Sequence, residues 1–146
     1  MMSNKHTLMR RFRFEAAHRL GKGFKGKCSN IHGHSFHGWI FYDSEVNSSD
    51  MCVDFSDIGT VVKEKVEAVL DHALILHKDD ELVELLKDKV RVVELEDNPT
   101  MEVLSKYIFE IMKRECSGMG ANIIAVELHE TENNHLLYKE DAKRTL

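Results

Sequence analysis

The segment Phe14-Glu15-Ala16-Ala17-His18, followed closely by Cys28-Ser29-Asn30-Ile31-His32-Gly33-His34, places three imidazoles and one thiol within seventeen residues. In extended backbone an H-x-H pair puts both rings on one face, with Cα atoms roughly 6.8 Å apart at about 3.4 Å per residue. Both rings can then reach one ion at metal–nitrogen distances of about 2.0–2.1 Å. Three histidines that leave a fourth position open describe a catalytic zinc, because structural zinc is usually closed by four protein ligands. Cys28 stands beside them as the reactive group. It sits near Lys25 and Lys27, whose positive charge favours thiolate.

A lone H-x-H is more often a surface or hydrogen-bonded pair, and it is His18 that changes the reading. From Leu8 to His18 the chain alternates, with Leu8, Phe12, Phe14, Ala16 and His18 on one face and Arg11, Arg13 and Glu15 on the other. That is the pattern of a half-buried strand, broken on its apolar side only by Arg10. A polar ring at the inward end of such a strand needs a metal or a hydrogen-bond partner. Two further histidines arrive after one short loop. The remaining histidines have no such support: His6, His37, His77 and His135 read as surface or core residues, and His129 points away from the apolar face of its strand. Cys52 and Cys116 lie beside apolar neighbours and read as inert.

Periodicity supplies the elements that must hold these groups. A strand is expected over Thr7–Leu20, a Gly/Lys loop over Gly21–Lys27 and a second strand over Ser35–Asp43. Asp54 is a helix N-cap, after which Ile58, Val61, Val62, Val66, Val69 and Leu70 keep helical spacing to about Asp71. Asp79–Lys87 reads as a short charged helix and Val90–Leu95 as a strand. Asn98-Pro99 opens a second long helix, proline suiting the first helical position. Its stripe of Met101, Leu104, Ile108, Ile111 and Met112 faces the core. Beyond Gly118-Met119-Gly120 come strands over Ile123–Glu130 and His135–Tyr138, the former with Ile124, Val126, Leu128 and Glu130 inward. This order makes an α+β arrangement, an antiparallel four-stranded sheet with two long helices on one face. On the Ser35–Asp43 strand, Phe36, Ile40 and Tyr42 alternate with Trp39 and Phe41, so both faces are apolar.

A chain of 146 residues with 42% hydrophobic and 31% charged residues is sized and composed as one ordinary globular domain, 1–146. No apolar run reaches membrane-spanning length and no signal-peptide core follows the basic N-terminus. Three cysteines at unrelated spacings make no disulfide framework, which favours a reducing cytoplasm. Net charge is −5, yet up to His34 eight Lys/Arg face a single acid, Glu15. A basic segment around a metal site in an acidic protein suggests a small polyanionic substrate. Nucleic acid is a poorer fit, because aromatic interleaving is sparse and the rest of the surface would repel it.

The series F-E-A-A-H-R-L, C-x-x-x-H-G-H-S-F, Leu70-Asp71-His72, Asn98-Pro99-Thr100-x-Glu102 and His129-Glu130-Thr131 resembles the 6-pyruvoyltetrahydropterin synthase superfamily. Within it, the chain is most similar to the bacterial 6-carboxytetrahydropterin synthases of the queuosine pathway. The resemblance implies a T-fold whose subunits join their sheets into a barrel, as a homo-oligomer, on the hexamer pattern with sites at subunit interfaces. It implies zinc on His18, His32 and His34, with Cys28, Asp71 and His72 as proton-transfer groups. Glu130 would anchor the pterin, with Thr100 also at the substrate and Lys22, Lys25 and Lys27 toward its triphosphate. The implied reaction turns 7,8-dihydroneopterin triphosphate into 6-carboxy-5,6,7,8-tetrahydropterin, triphosphate and acetaldehyde. The alternatives are a 6-pyruvoyl product, or a non-catalytic zinc-binding member whose metal Cys28 closes. About 25 residues separate His72 from Asn98, where compact relatives cross quickly, and this stretch reads as a solvated excursion.

Overall fold

Strict alternation folds the first segment into β1 (Lys5–His18), which pairs antiparallel with β2 (His32–Glu45) along its whole length, from Lys5↔Glu45 to His18↔His32. The computed structural model describes residues 5–21 and 23–140. Phe12, Phe14 and Ala16 of β1 and Phe36, Ile40 and Tyr42 of β2 are buried on one face. That face is covered by two helical segments. The first begins at Asp54, whose carboxylate accepts the Ser56 N–H at 2.8 Å. It runs as α1 (Phe55–Val61), a π-helical stretch (Val62–Glu67) and α2 (Ala68–Leu70). Its core residues Ile58, Val62, Val66 and Leu70 are all 0% exposed and spaced by four. Four-residue steps overshoot the 3.6-residue turn by about 40° each. The wider π turn takes that drift back and keeps all four on the sheet.

The second is α4 (Met101–Glu115), whose Leu104, Ile108, Ile111 and Met112 join the same core. Its N-cap is Thr100, whose hydroxyl accepts the Val103 N–H at 3.2 Å. Pro99 therefore precedes the cap instead of occupying the first helical position, because the threonine hydroxyl satisfies the exposed N–H groups better.

The antiparallel four-stranded expectation is met by β1, β2, β5 (Asn122–His129) and β6 (His135–Lys139), but the sheet has six strands in the order β4-β3-β1-β2-β5-β6. The two additional strands are β3 (Ala73–His77), parallel to β1 through Ala16–His18, and β4 (Val92–Leu95), parallel to β3. Between them α3 (Glu81–Leu86) lies on the opposite face of the sheet from the long helices. The stretch after His72 is thus a folded unit and not a solvated excursion. Ala73 and Ile75 enter the main core, while Leu74 and Leu76 pack with Val83 in a second one. A parallel strand buried on both faces reads as an unbroken apolar run, so alternation could not reveal β3.

Strand ends also differ from the pattern. β1 stops at His18 and β2 starts already at His32, which places the H-x-H inside the ladder. In β5 a bulge opposite Phe41/Tyr42 pairs Ala125 with Phe41 and Ile123 with Tyr42. The inward series is consequently Ile123, Val126 and Leu128, with Ile124 displaced, and Glu130 follows the strand. No described helix is long and apolar enough to cross a membrane.

Candidate metal centre

His18 and His32 stand directly opposite on β1 and β2, and His34, opposite Ala16, falls on the same face one pleat further on. The ring centroids are 4.6 Å apart for His18–His32, 5.2 Å for His18–His34 and 5.0 Å for His32–His34. Their ligating atoms all lie within 4.8 Å of one another, the one group of this kind among the described residues. His18 Nδ1–H donates to the Pro99 carbonyl at 2.8 Å, and His32 Nδ1–H donates to the Asn30 carbonyl at 2.7 Å. A carbonyl only accepts, so both rings carry their proton on Nδ1 and offer the Nε2 lone pair, the second-sphere arrangement typical of metal histidines.

Whether the site suits a metal is decided by those nitrogens. His18 Nε2 and His34 Nε2 are buried and have no hydrogen-bond partner. Buried polar atoms are normally satisfied, so two ring nitrogens without a hydrogen bond, converging with a third imidazole, fit a metal ion. Phe36 meets the rings of His18 and His34 edge-on at 5.7 and 5.4 Å and dries the floor of the site. Burial accordingly pushes the pKa of both His18 and His34 below the ordinary imidazole value, which keeps them neutral and ready to ligate.

Glu130, just past β5, brings Oε1 to 3.5 Å from His18 Nε2 and 3.3 Å from His34 Nε2. The carboxylate thus stands at the mouth of the cluster, its side chain 22% exposed. Cys28 occupies a 3-10 turn, Lys27–Ser29, its carbonyl accepting the Leu20 N–H at 2.8 Å. The thiol is free and half-buried, and it is not a member of the histidine group. Lys25 and Lys27 are exposed beside it, whereas Lys22 lies outside the described residues. The Thr100 hydroxyl is engaged as the α4 cap, close in sequence to the Pro99 carbonyl that holds His18.

Asp71 and His72 do meet, as adjacent residues can only in a turn. Asp71 is extended at the end of α2 and His72 is left-handed, with φ 58°. That conformation is uncommon for a residue with a side chain and marks a position held by its surroundings. His72 Nδ1–H donates to Asp71 Oδ2 at 2.8 Å, while Asp71 Oδ1 accepts the Glu15 N–H at 2.8 Å. The Glu15 N–H, and after it the His72 bond, hold the Asp71 carboxyl below the usual carboxylate range. His72 Nε2 is left with its lone pair toward solvent, the side chain 80% exposed.

The dyad opens on the other face of the sheet. His72 lines a groove of about 620 Å³ with Ala17, Gly33, Leu74 and Leu86, which also reaches Ala16 and His34. Ala17 and Gly33 pair on the face opposite His18, His32 and His34. Among the described residues no hydrogen bond or ion pair joins the dyad to Cys28 or to the three histidines.

The supports of these groups leave no mark in the residue pattern. Arg91, entering β4, donates to the carbonyls of Ala68 and Asp71 at 2.7 and 3.0 Å and fixes the turn from the far side. Nothing in the sequence marks Pro99 as the carbonyl acceptor for His18, since that contact depends on where α4 docks. His37, His129 and His135 form a cross-strand row on the α3 side of the sheet, with successive centroids 4.7 and 4.3 Å apart and Glu127 accepting from His129. Strand register would have found it, because His37 pairs with His129 and His129 with His135.

Residues 7–141 match the sequence profile of the 6-pyruvoyl tetrahydropterin synthase family. A protein of Aquifex aeolicus named 6-carboxy-5,6,7,8-tetrahydropterin synthase is 28% identical, over 94% of this chain and 99% of its own. One of the same name from Rickettsia typhi is 31% identical, over 85% of this chain and 93% of its own. The structure of Caenorhabditis elegans 6-pyruvoyl tetrahydropterin synthase superposes with a TM-score of 0.73 at 26% identity, covering 97% of this chain and 100% of that one.

Proposed function

This chain belongs to the 6-pyruvoyl tetrahydropterin synthase family, and from that premise we propose that it is a zinc-dependent lyase acting on 7,8-dihydroneopterin triphosphate. With one water consumed, its products would be 6-carboxy-5,6,7,8-tetrahydropterin, triphosphate and acetaldehyde, on the route to queuosine and in a reducing cytoplasm. The observation that carries the reading is the pair of buried, unpartnered Nε2 atoms of His18 and His34 converging with His32. The choice of the carboxylated product is supported by the names of the Aquifex and Rickettsia relatives. It is supported too by the short gap between Cys28 and His32-Gly33-His34.

Zinc held by His18, His32 and His34 would supply Lewis-acid polarisation of the substrate's side-chain hydroxyls. The chain's own residues do the rest. Glu130 offers two acceptor oxygens to the adjacent N3–H and 2-amino donors of a pterin, a paired geometry like that of carboxylate with arginine. Cys28 takes the proton from the side-chain carbon next to the ring. His72, its Nδ1–H tied to Asp71, has Nε2 free for the second proton transfer. Lys25 and Lys27, with Lys22 in the same loop, suit the triphosphate. Thr100 closes the substrate side at the head of α4.

Because the dyad opens on the face opposite the histidines, the complete site is one shared between copies in a homo-oligomer, His72 of one facing Cys28 of another. The alternative of a closed, non-catalytic zinc requires Cys28 as a fourth ligand, and Cys28→Ala decides it: zinc retained without turnover favours the enzyme, zinc lost favours the closed site. Incubation of the zinc-loaded protein with dihydroneopterin triphosphate tests the reading. Acetaldehyde and a 6-carboxy pterin are expected. A product that keeps the three-carbon side chain would replace the assignment with 6-pyruvoyltetrahydropterin formation, and no turnover would overturn both.

A further inference from the structure

The turn that leaves β1 is held by an ion pair to which the chemistry above gives no part. Arg19, the residue after His18, donates from Nε to Asp80 Oδ2 at 2.8 Å and from Nη2 to Oδ1 at 2.5 Å. Such a two-point fork fixes direction as well as distance. Asp80 is 6% exposed and is also the N-cap of α3, Oδ1 accepting the Leu82 N–H at 2.9 Å. Gly21 closes over the pair: a Cβ built there would lie 2.5 Å from Asp80 Oδ2. The next link is Leu20, whose N–H donates to the Cys28 carbonyl at 2.8 Å. Three consecutive residues thus do three jobs. His18 faces the metal centre, Arg19 grips α3, and Leu20 ties the base of the Cys28 loop.

We propose that the Arg19–Asp80 pair is a positioning device for Cys28, and that the β3–α3–β4 unit is an internal brace for that loop. The proposal rests on the proton-transfer role given to Cys28 above. From Gly23 to Lys27 the loop is exposed, and Gly23 takes the left-handed conformation with φ 77°. The loop's tie to the rest of the fold is at its base, where Leu20 meets Cys28, and its far end is closed by the Ser29 N–H on the Gly26 carbonyl at 3.0 Å. A buried ion pair is a poor source of net stability, because desolvation offsets most of the attraction. What it supplies here is a single geometry for the segment leading from the metal ligand to the thiol.

Asparagine at position 80 separates this role from simple helix capping, since it caps as well as aspartate but cannot accept a charged fork at both positions. The test compares zinc-loaded parent, Asp80→Asn, Arg19→Lys and the double variant. The readouts are kcat, KM, zinc content, and the rate of iodoacetamide modification of Cys28 across pH, read on the Cys28 peptide by mass spectrometry. For Asp80→Asn, kcat should fall about tenfold or more with KM within about threefold, as expected of a displaced reacting group. Zinc should stay bound, and Cys28 should alkylate several-fold faster as its loop opens. Arg19→Lys keeps the charge and one bond, so it should lie between parent and Asp80→Asn, and the double variant should be no worse than Asp80→Asn. Parental Cys28 alkylation in both single variants would overturn the proposal, as would a loss of activity that merely follows loss of zinc. Alkylation needs no turnover, so an inactive parent would sink the proposed reaction while leaving the clamp open to decision.

Discussion

The histidine cluster and the Asp71–His72 dyad lie on the two faces of one sheet and are built by opposite means. The cluster is fixed by strand register: His18 opposite His32, His34 on the same face, two Nδ1 protons spent on carbonyls, and a His18 ring with only 3% of its side chain exposed. The dyad is fixed by a turn that breaks regular structure, with a left-handed His72 whose side chain is 80% exposed. The three imidazoles of the first meet within one chain. The second is aimed outward, at a reactant or at another copy. Preorganised ligands belong where a metal must be gripped, and an exposed imidazole where a proton must be handed over.

The largest expected effect tests whether the two regions divide the labour in this way. His18→Ala should lose nearly all bound zinc and all turnover, since two imidazoles make a poor site for the ion. His72→Ala should keep about one zinc per chain and lose roughly 10²–10⁴ in kcat, the usual cost of a proton-transfer group. Metal analysis on the two purified variants separates them. Zinc-free His72→Ala would make His72 a ligand and erase the distinction.

Much of this contrast is legible in the sequence, and what is not has a physical cause. The H-x-H after a strand ending in histidine can be read because period-two alternation fixes which side chains share a face. The Asp54 cap and the helical stripe to Leu70 can be read as well. The π segment cannot, because four-residue spacing of Ile58, Val62, Val66 and Leu70 resembles ordinary helix. β3 is hidden by burial on both faces. Pro99 and Arg91 act through backbone carbonyls, so their partners are set by docking and leave no trace in residue pattern. Arg19 and Asp80 are far apart in the chain, and nothing in either segment announces the other.

A smaller effect sharpens the same comparison through pH. In the metal-free protein, His18 and His34 have pKa values below their unfolded value of about 6.5. The unfolded chain then binds more protons, so stability should be full above that value and decline as pH falls toward the lower folded values. Asp80 is depressed chiefly by the Arg19 fork, so its contribution should be present above about 3.9 and be lost only as pH falls through a still lower value. Denaturant titrations of zinc-free protein should therefore show two acid declines. Bound zinc should deepen the upper one, because it keeps the folded histidines unprotonated while the unfolded chain still takes up protons, and Asp80→Asn should shrink the lower one, to which the depressed Asp71 carboxyl also contributes. A single decline near pH 4, unchanged by zinc, would mean that the cluster is not held neutral by burial.

The proposed reaction makes the two faces halves of one site, completed between copies of the chain. Cys28→Ala and His72→Ala, each inactive alone, provide the direct measurement when they are unfolded together, refolded with zinc and assayed for pterin conversion. A copy lacking the thiol still presents His72, and a copy lacking His72 still presents Cys28. The mixture should therefore regain a substantial fraction of parental activity, rising with the content of mixed assemblies. If mixed assemblies form and remain as inactive as either variant, Cys28 and His72 must act within the same chain, and the division across the sheet is wrong.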